Sequence, residues 1–235
     1  METEVRTANT VPAVEPRIAV VGIGGAGCNI VNDIYWADGS LDTVAINTDK
    51  DSLRRTNADK KVCLCRDVTK GEGAKGDVIL GERCAKAHTD EIRDALAGHD
   101  AVFLIAGMGG GTGTGVTPVV AAVAHSLDII TFIIAVKPFS FEMQRMKAAK
   151  EGISKISSMS PMTVVIENDK VAKLMGNMTM DEAFRMVNSS VVRFVAEQKT
   201  KISEAMMDQL SNIGAIIEES GETHSLSAYA GSTTA

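Results

Sequence analysis

The sequence predicts an α/β fold, a doubly wound and mostly parallel sheet of about six strands followed by one long C-terminal helix. Three observations carry it. Short runs rich in Val and Ile alternate with longer amphipathic stretches. Two glycine-rich segments follow such runs directly. Beyond Asp181 the apolar residues fall three and four apart. Continuous apolar runs suit strands buried on both faces, as in parallel sheets. Parallel neighbours need long crossover connections, and the intervening segments are long enough to supply them.

Residues 1–16 read as a flexible tail ended by Pro16. The expected strands are Ile18–Val21, Thr43–Ile46, Val62–Cys65, Ala101–Ala106, Ile129–Val136 and Thr163–Ile166. Candidate crossover helices are Gly27–Trp36, Gly76–Ala97 and Thr117–Ser126. These residues, 17–180, make one α/β domain. From Phe184 through Val187, Val191, Val195, Ile202 and Met206 to Ile217 runs a helical stripe. Asp181 is the expected cap. Unbroken to Glu219, the 181–219 helix would be about 55 Å long at ~1.5 Å per residue; Ser203 or Gly214 are places for an interruption. Residues 220–235 are rich in Gly, Ser and Thr and read as a second flexible tail. No further strand pattern follows, so no second globular domain is expected.

Composition narrows the function classes. The chain has 235 residues, 45% of them hydrophobic and 23% charged, which suits a globular domain and excludes a disordered one. Aromatics are only 4%, so the core must be aliphatic and methionine-rich. Lysine and arginine number 24 against 30 acidic residues, a net charge of −6. A general nucleic-acid binder shows a basic excess instead. No apolar run approaches the ~18 residues of a membrane span. The first 16 residues are polar and unlike a secretion signal. Four cysteines do not make a disulfide scaffold, so a reducing, cytoplasmic setting is expected.

The chemistry lies in the two glycine segments. Gly22-Ile23-Gly24-Gly25-Ala26-Gly27 follows the first strand and has the G-x-G-x-x-G spacing of dinucleotide folds. Glycines there allow a tight turn and close backbone approach, and the helix start offers N–H groups to phosphate. Its bland alternative is tight strand–helix packing with no ligand. Gly107-Met108-Gly109-Gly110-Gly111-Thr112-Gly113-Thr114-Gly115 follows the fourth strand, with six glycines in nine residues. Such a run is costly in backbone entropy unless it binds something. Its N–H groups and two hydroxyls can cradle a multiply charged anion. Both segments leave strand carboxyl ends, the edge where open α/β sheets bind ligands. Together they imply a nucleotide with two or three phosphates.

The run GMGGGTGTG resembles the signature of the FtsZ/tubulin superfamily in its FtsZ form. Further marks stand in the family's order. They are Asn47-Thr48-Asp49, Thr69-Lys70-Gly71, Lys137-Pro138-Phe139-Ser140-Phe141-Glu142, Glu167-Asn168-Asp169-Lys170, and Asp181-Glu182-Ala183-Phe184 with Asn188. The resemblance covers about Arg17 to Val195. It implies GTP or GDP as ligand, with Mg²⁺ as the common companion of nucleotide phosphates. By position, Gly24, Gly25 and Asn29 are expected to line the nucleotide. Gly109, Gly110, Gly111, Thr112, Gly113 and Thr114 are expected to hold the phosphates, with Asp49 near the phosphate–metal region. Gly73 and Ala74 match the loop that senses the terminal phosphate. Glu142 is expected on the ribose with Arg145 nearby, Asn168 and Asn188 on the guanine edge, and Phe184 stacked on the base. An amide offers both donor and acceptor to a base edge, and an aromatic face stacks on a purine. The plain alternative for Phe184 is core packing.

The resemblance has departures. Two residues, not three, separate Glu142 from Arg145. The loop after Gly73 reads Ala-Lys-Gly-Asp, where the family has more glycine and a proline, and its Lys75 either contacts phosphate or is merely solvated. Beyond Gln198 there is no match to the family's water-positioning loop of one asparagine and two aspartates, nor to its second domain. No catalytic residue is therefore assigned.

Weaker signals remain. Cys63 and Cys65, on one side of a strand, with Cys84 and His88 make a conceivable zinc set, against the alternative of buried apolar thiols. Ten of twelve methionines lie from Met143 onward, as an adaptable surface or as core filling. The leading expectation is a guanine-nucleotide-binding FtsZ-like protein. It would assemble with itself or cap filaments of full-length relatives, with little hydrolysis alone. The alternatives are an NAD-dependent oxidoreductase and a scaffold that keeps the fold without nucleotide.

Overall fold

The computed structural model describes residues 15–175 and 179–219. The expected tails therefore fall almost wholly outside the described residues. The described residues from 16 to 198 form one compact unit, and those from 199 onward belong to a second.

The larger unit is built on a six-stranded sheet of order β3-β2-β1-β4-β5-β6. Its strands are β1 (Ile18–Ile23), β2 (Asp42–Asn47), β3 (Lys60–Cys63), β4 (Ala101–Gly107), β5 (Ile130–Lys137) and β6 (Thr163–Glu167). Every neighbouring pair is parallel. The helices among the described residues are α1 (Gly24–Ala37), α2 (Lys50–Arg55), α3 (Arg66–Thr69), α4 (Val78–Ala87), α5 (Thr89–Leu96), α6 (Gly111–Ser126), α7 (Met143–Met159), α8 (Asn168–Met175) and α9 (Met180–Glu219). None is long and apolar enough to cross a membrane.

The six expected strands are present, with one correction. β3 runs from Lys60 to Cys63, two residues earlier than expected, and Cys65 lies beyond it in a left-handed conformation with φ 49°. The 76–97 helix is two helices, α4 and α5, meeting at His88. The helix expected at Thr117 begins six residues earlier, so half of the second glycine segment is helical.

Strand side chains alternate across the sheet. Ala19, Val21, Ile23, Val102 and Leu104 share a core with Cys84, Ile92, Val116, Ala149 and Ile156 from α4 to α7. On the other side Gly27 brings α1 against β4, where a Cβ would sit 2.2 Å from the Ile105 carbonyl oxygen. Burial tends to raise the Asp42 carboxyl, but hydrogen bonds from Arg17 and His99 outweigh it and hold the group below the usual carboxylate range.

Asp181 is not the cap of α9. Thr179 and Glu182 form a capping box: Thr179 N–H donates to Glu182 Oε2 at 2.8 Å, and Glu182 N–H donates to Thr179 Oγ1 at 3.3 Å. Ala183, Val187, Val191 and Val195 are the buried stripe of the helix's first part. In the second unit, residues 199–219 are helical throughout, with no break at Ser203 or Gly214. There Ile202, Met206 and Met207 are half-buried.

Candidate functional site

The strand order reverses direction between β1 and β4. These adjacent strands end in the two glycine segments, so the segments leave the sheet side by side. Such a switch point is where open α/β sheets form their ligand crevice. The segments touch: a Cβ on Gly24, which has φ +71°, would lie 3.0 Å from the Gly113 nitrogen. Neither α1 nor α6 has a side-chain cap or an acidic residue in its first turn. The first N–H groups of each helix have no intrahelical acceptor, so both starts present unpaired donors and a positive dipole end.

Thr48 ties the surrounding loops together. Its hydroxyl shares a 2.7 Å hydrogen bond with the Thr112 hydroxyl and accepts from the Ala74 N–H at 3.0 Å. Thr114 closes the second segment by accepting from the Gly109 N–H at 2.8 Å. Gly109, at φ +91°, passes beneath α7, where a Cβ would meet the Arg145 carbonyl oxygen at 2.6 Å.

A crevice with two lobes opens at this point. The loop lobe, about 320 Å³, is lined by Gly25, Gly110, Gly111, Thr112 and Gly113. Asp49, Gly73 and Ala74 close its other side. The second lobe, about 500 Å³, is lined by Asn29, Glu142, Asn168, Phe184 and Asn188. Ala26, Gly107 and Arg145 border both. Each lobe falls within the 300–1,000 Å³ range of small-ligand sites. Fourteen of the seventeen residues expected from the sequence thus line one crevice. Gly24, Gly109 and Thr114 do not, and instead shape the turns.

Two buried polar atoms among the described residues have no hydrogen-bond partner, and they stand at opposite ends. Asn168 Oδ1 is orphaned in the second lobe and Asn47 Nδ2 in the loop lobe. An unpaired buried polar group is costly, so Asn168 Oδ1 leaves a place for a donor of a polar ligand, whereas the Asn47 amide lies beside the Cys28 thiol. Phe184 is 44% exposed and meets Phe139 edge-on at 5.6 Å, so core packing does not explain it. Asn188 donates one amide hydrogen to Asp33 Oδ2 at 3.0 Å, which links α9 to α1 and orients the remaining amide atoms. Glu142 accepts from the Phe139 N–H at 3.1 Å and pairs with Arg145, so the shortened spacing still brings acid and base together. Asp49 accepts from the Ser52 N–H at 2.8 Å and caps α2.

The sequence reading missed Asn47, Thr48, Asp181 and Arg185 as site residues, although all but Arg185 stand in motifs it had singled out; Lys75, read there as either a phosphate contact or solvated, lines the loop lobe. The glycines of the second segment also do more than bind. A Cβ on Gly111 would sit 2.7 Å from Asp77 O, and one on Gly115 would sit 2.2 Å from Val78 O. Their smallness lets α6 lie against α4.

The suggested zinc set does not assemble. Among the described residues no three His, Cys, Asp or Glu side chains converge on a metal position. Cys65 has left the strand, and its N–H donates to His88 Nε2 at 3.0 Å while His88 Nδ1 faces Glu91. Burial, with the neighbouring Cys65 thiol as a smaller contributor, pushes the Cys84 thiol up to about 12, which makes it an inert apolar group.

Fold and crevice define a class, the parallel α/β proteins whose two glycine turns meet at a switch point of the sheet. The Tubulin/FtsZ family model for the GTPase domain matches residues 17–176, and the chain belongs to this family. Cell division protein FtsZ 1 of Pyrococcus horikoshii is 35% identical over 216 residues, 90% of this chain and 58% of that protein. FtsZ 2 of Methanocaldococcus jannaschii is 40% identical over 182 residues, 77% of this chain and 48% of that protein. The chain therefore spans about half the length of these relatives. Among solved structures, an empty FtsZ dimer from M. jannaschii superposes with a TM-score of 0.77 at 37% identity, covering 80% of this chain and 56% of that one. CetZ2 of Haloferax volcanii, a GTPγS-bound protofilament, does so at 0.71 and 25% identity, covering 78% and 58%.

Proposed function

We propose that this chain binds a guanosine di- or triphosphate across the β1/β4 switch point. The observation that carries the reading is the meeting of two uncapped helix starts in one crevice. A phosphate chain supplies the acceptors that these N–H groups lack. On this reading the loop lobe takes the phosphates, and the second lobe takes ribose and base. Asn168 and Asn188 read the base edge, Phe184 covers its face, and Glu142 with Arg145 borders the ribose. Asp49 stands where a divalent ion on the phosphates would be met, and Mg²⁺ suits such an oxygen-rich setting.

We further propose little hydrolysis by this chain alone. Residues 199–210 (Lys-Thr-Lys-Ile-Ser-Glu-Ala-Met-Met-Asp-Gln-Leu) do not resemble the family's water-positioning loop. Phosphoryl transfer depends on placing the attacking water as much as on holding the phosphates. Assembly, with itself or at the end of a filament of full-length relatives, follows from the family and remains part of the same proposal. The oxidoreductase alternative has lost its support, since the family is a GTPase one.

The test is extraction of ligand from purified protein, identification of its base, and sedimentation of the same preparation with GTP, alone and with a full-length relative. A bound guanine nucleotide, turnover far below that of full-length relatives and a nucleotide-dependent change in size support the proposal. An empty protein that takes up no added nucleotide supports the scaffold alternative.

A further inference from the structure

We propose that Asp33, a residue outside the crevice, sets the preference for a base by deciding which end of the Asn188 amide faces the second lobe. This rests on the nucleotide reading above and adds a positioning residue to it.

Asn188 is fixed everywhere but at its amide. Val187 and Val191, beside it on α9, are buried and hold that turn of the helix in place. The amide can be turned end for end with almost no change of shape, yet its ends do opposite things: the oxygen accepts and the nitrogen donates. Asp33 removes the choice. It stands on α1, where its Oδ2 accepts from Asn188 Nδ2 at 3.0 Å. A carboxylate only accepts, so the amide atom facing it has to be the nitrogen. Asn188 lines the second lobe and Asp33 does not. The nitrogen end is therefore turned out of the lobe and the oxygen end toward it. Asp33 itself is exposed, and α1 packs through Cys28, Ile30, Val31 and Ile34.

Asn168 gives that orientation a consequence. Its Oδ1 is buried in the same lobe without a partner. The lobe thus presents two amide oxygens, and both call for donors. Bases differ in what they can answer with. The pairing edge of guanine carries two neighbouring donors, the ring N1–H and the amine at C2. Hypoxanthine keeps the N1–H and lacks the amine. Adenine has an acceptor nitrogen at N1, no polar group at C2 and its amine at C6. A base that fills only one oxygen leaves the other desolvated and unpaired, which is how a polar site rejects a ligand of nearly the same shape. With the Asn188 amide reversed, an N–H would instead meet the donor edge of guanine, and the preference would be lost. Asp33 therefore acts on the base through Asn188 without touching it.

The experiment is calorimetric titration of the nucleotide-free full chain with GDP, IDP and ADP at fixed Mg²⁺ and salt, beside a melting curve. The wild-type chain is expected to bind GDP about tenfold more tightly than IDP, and ADP more weakly still. Asp33→Ala frees the amide, so GDP is expected to weaken and its advantage over IDP to shrink to about twofold or less. The melting temperature is expected to hold, since the site is exposed and alanine is the better helix former. Asn188→Asp is expected to weaken GDP, because two carboxylates then face each other. Asp33→Ala combined with Asn188→Asp is expected to restore the preference, because a carboxylate offers oxygen whichever way it turns. A merely structural Asp33 would instead lower the melting temperature and all three affinities alike, with the combined variant no better than either single one. That result overturns the proposal, as does a GDP preference left intact by Asp33→Ala or a wild-type chain that binds GDP and IDP equally. A wild-type chain that takes up none of the three, or ADP best, overturns the guanine-nucleotide reading itself.

Discussion

Asn168 shows how one buried atom can announce a site. The residue is 3% exposed at the start of α8, and its Oδ1 has no partner. A protein with no use for that oxygen would satisfy it or replace it. Asn168→Ala removes the acceptor, and its expected effect is a loss of about 1–3 kcal/mol in guanine-nucleotide affinity. Thermal stability should change much less, since the atom lost makes no hydrogen bond within the protein. Titration beside a melting curve checks both. Phe184 and Asn188 were legible because each stands in a recognisable motif. Thr48 was not read as a site residue, because its role is to join three loops distant in sequence. Nothing local in Asn-Thr-Asp states that a hydroxyl from residue 112 will meet it.

At the level of elements, α4 and α6 form the closest helix pairing near the crevice. A Cβ on Gly81 would lie 2.3 Å from Gly111 O, and backbone cannot yield as a flexible side chain does. Gly81→Ala should therefore push the start of α6 away from α4. The expected cost is about 1–3 kcal/mol in stability, with weaker nucleotide binding from the displaced N–H groups. Denaturant melts and titration measure the two effects. The same contact explains why the helix start was misplaced from the sequence. Glycine disfavours helix by about 1 kcal/mol per residue, so GGGTGTG reads as a loop until α4 is present to pack against it. The entropy argument for a phosphate loop was incomplete for this reason: Gly111 and Gly115 are small for their neighbours as well. The central strands were read to within two residues, because burial on both faces leaves an uninterrupted apolar run, while β6, with Val164 and Val165 exposed, shows the same run at the sheet edge. β3 was placed two residues late, since its first two residues are exposed lysines and Leu64 is buried like a strand residue but lies past the last pairing. α7 was overlooked because its methionines read as filling, and α2 and α3 are too short to show a period.

Over the whole molecule, the candidate crevice follows from the order in which the strands are laid down. Placing β4 beside β1 sends the chain outward in both directions from that seam. Two glycine turns from opposite sides of the β1–β4 pair then share one edge. Every residue of the candidate crevice comes from the unit 16–198. The 17–176 match to the GTPase domain covers nearly the same stretch. The proposed domain division, an α/β nucleotide domain at 17–180 with a long helix at 181–219, borrows Asp181, Phe184 and Asn188 from the helix to complete the crevice. The central claim is that backbone donors from both turns hold one phosphate chain. Determining the crystal structure with GDP bound tests it most directly. The account expects phosphate oxygens at ~2.7–3.2 Å from N–H groups of both 24–27 and 110–114, with guanine beside Phe184 and Asn168. A nucleotide bound elsewhere, or held by only one of the two turns, would contradict it.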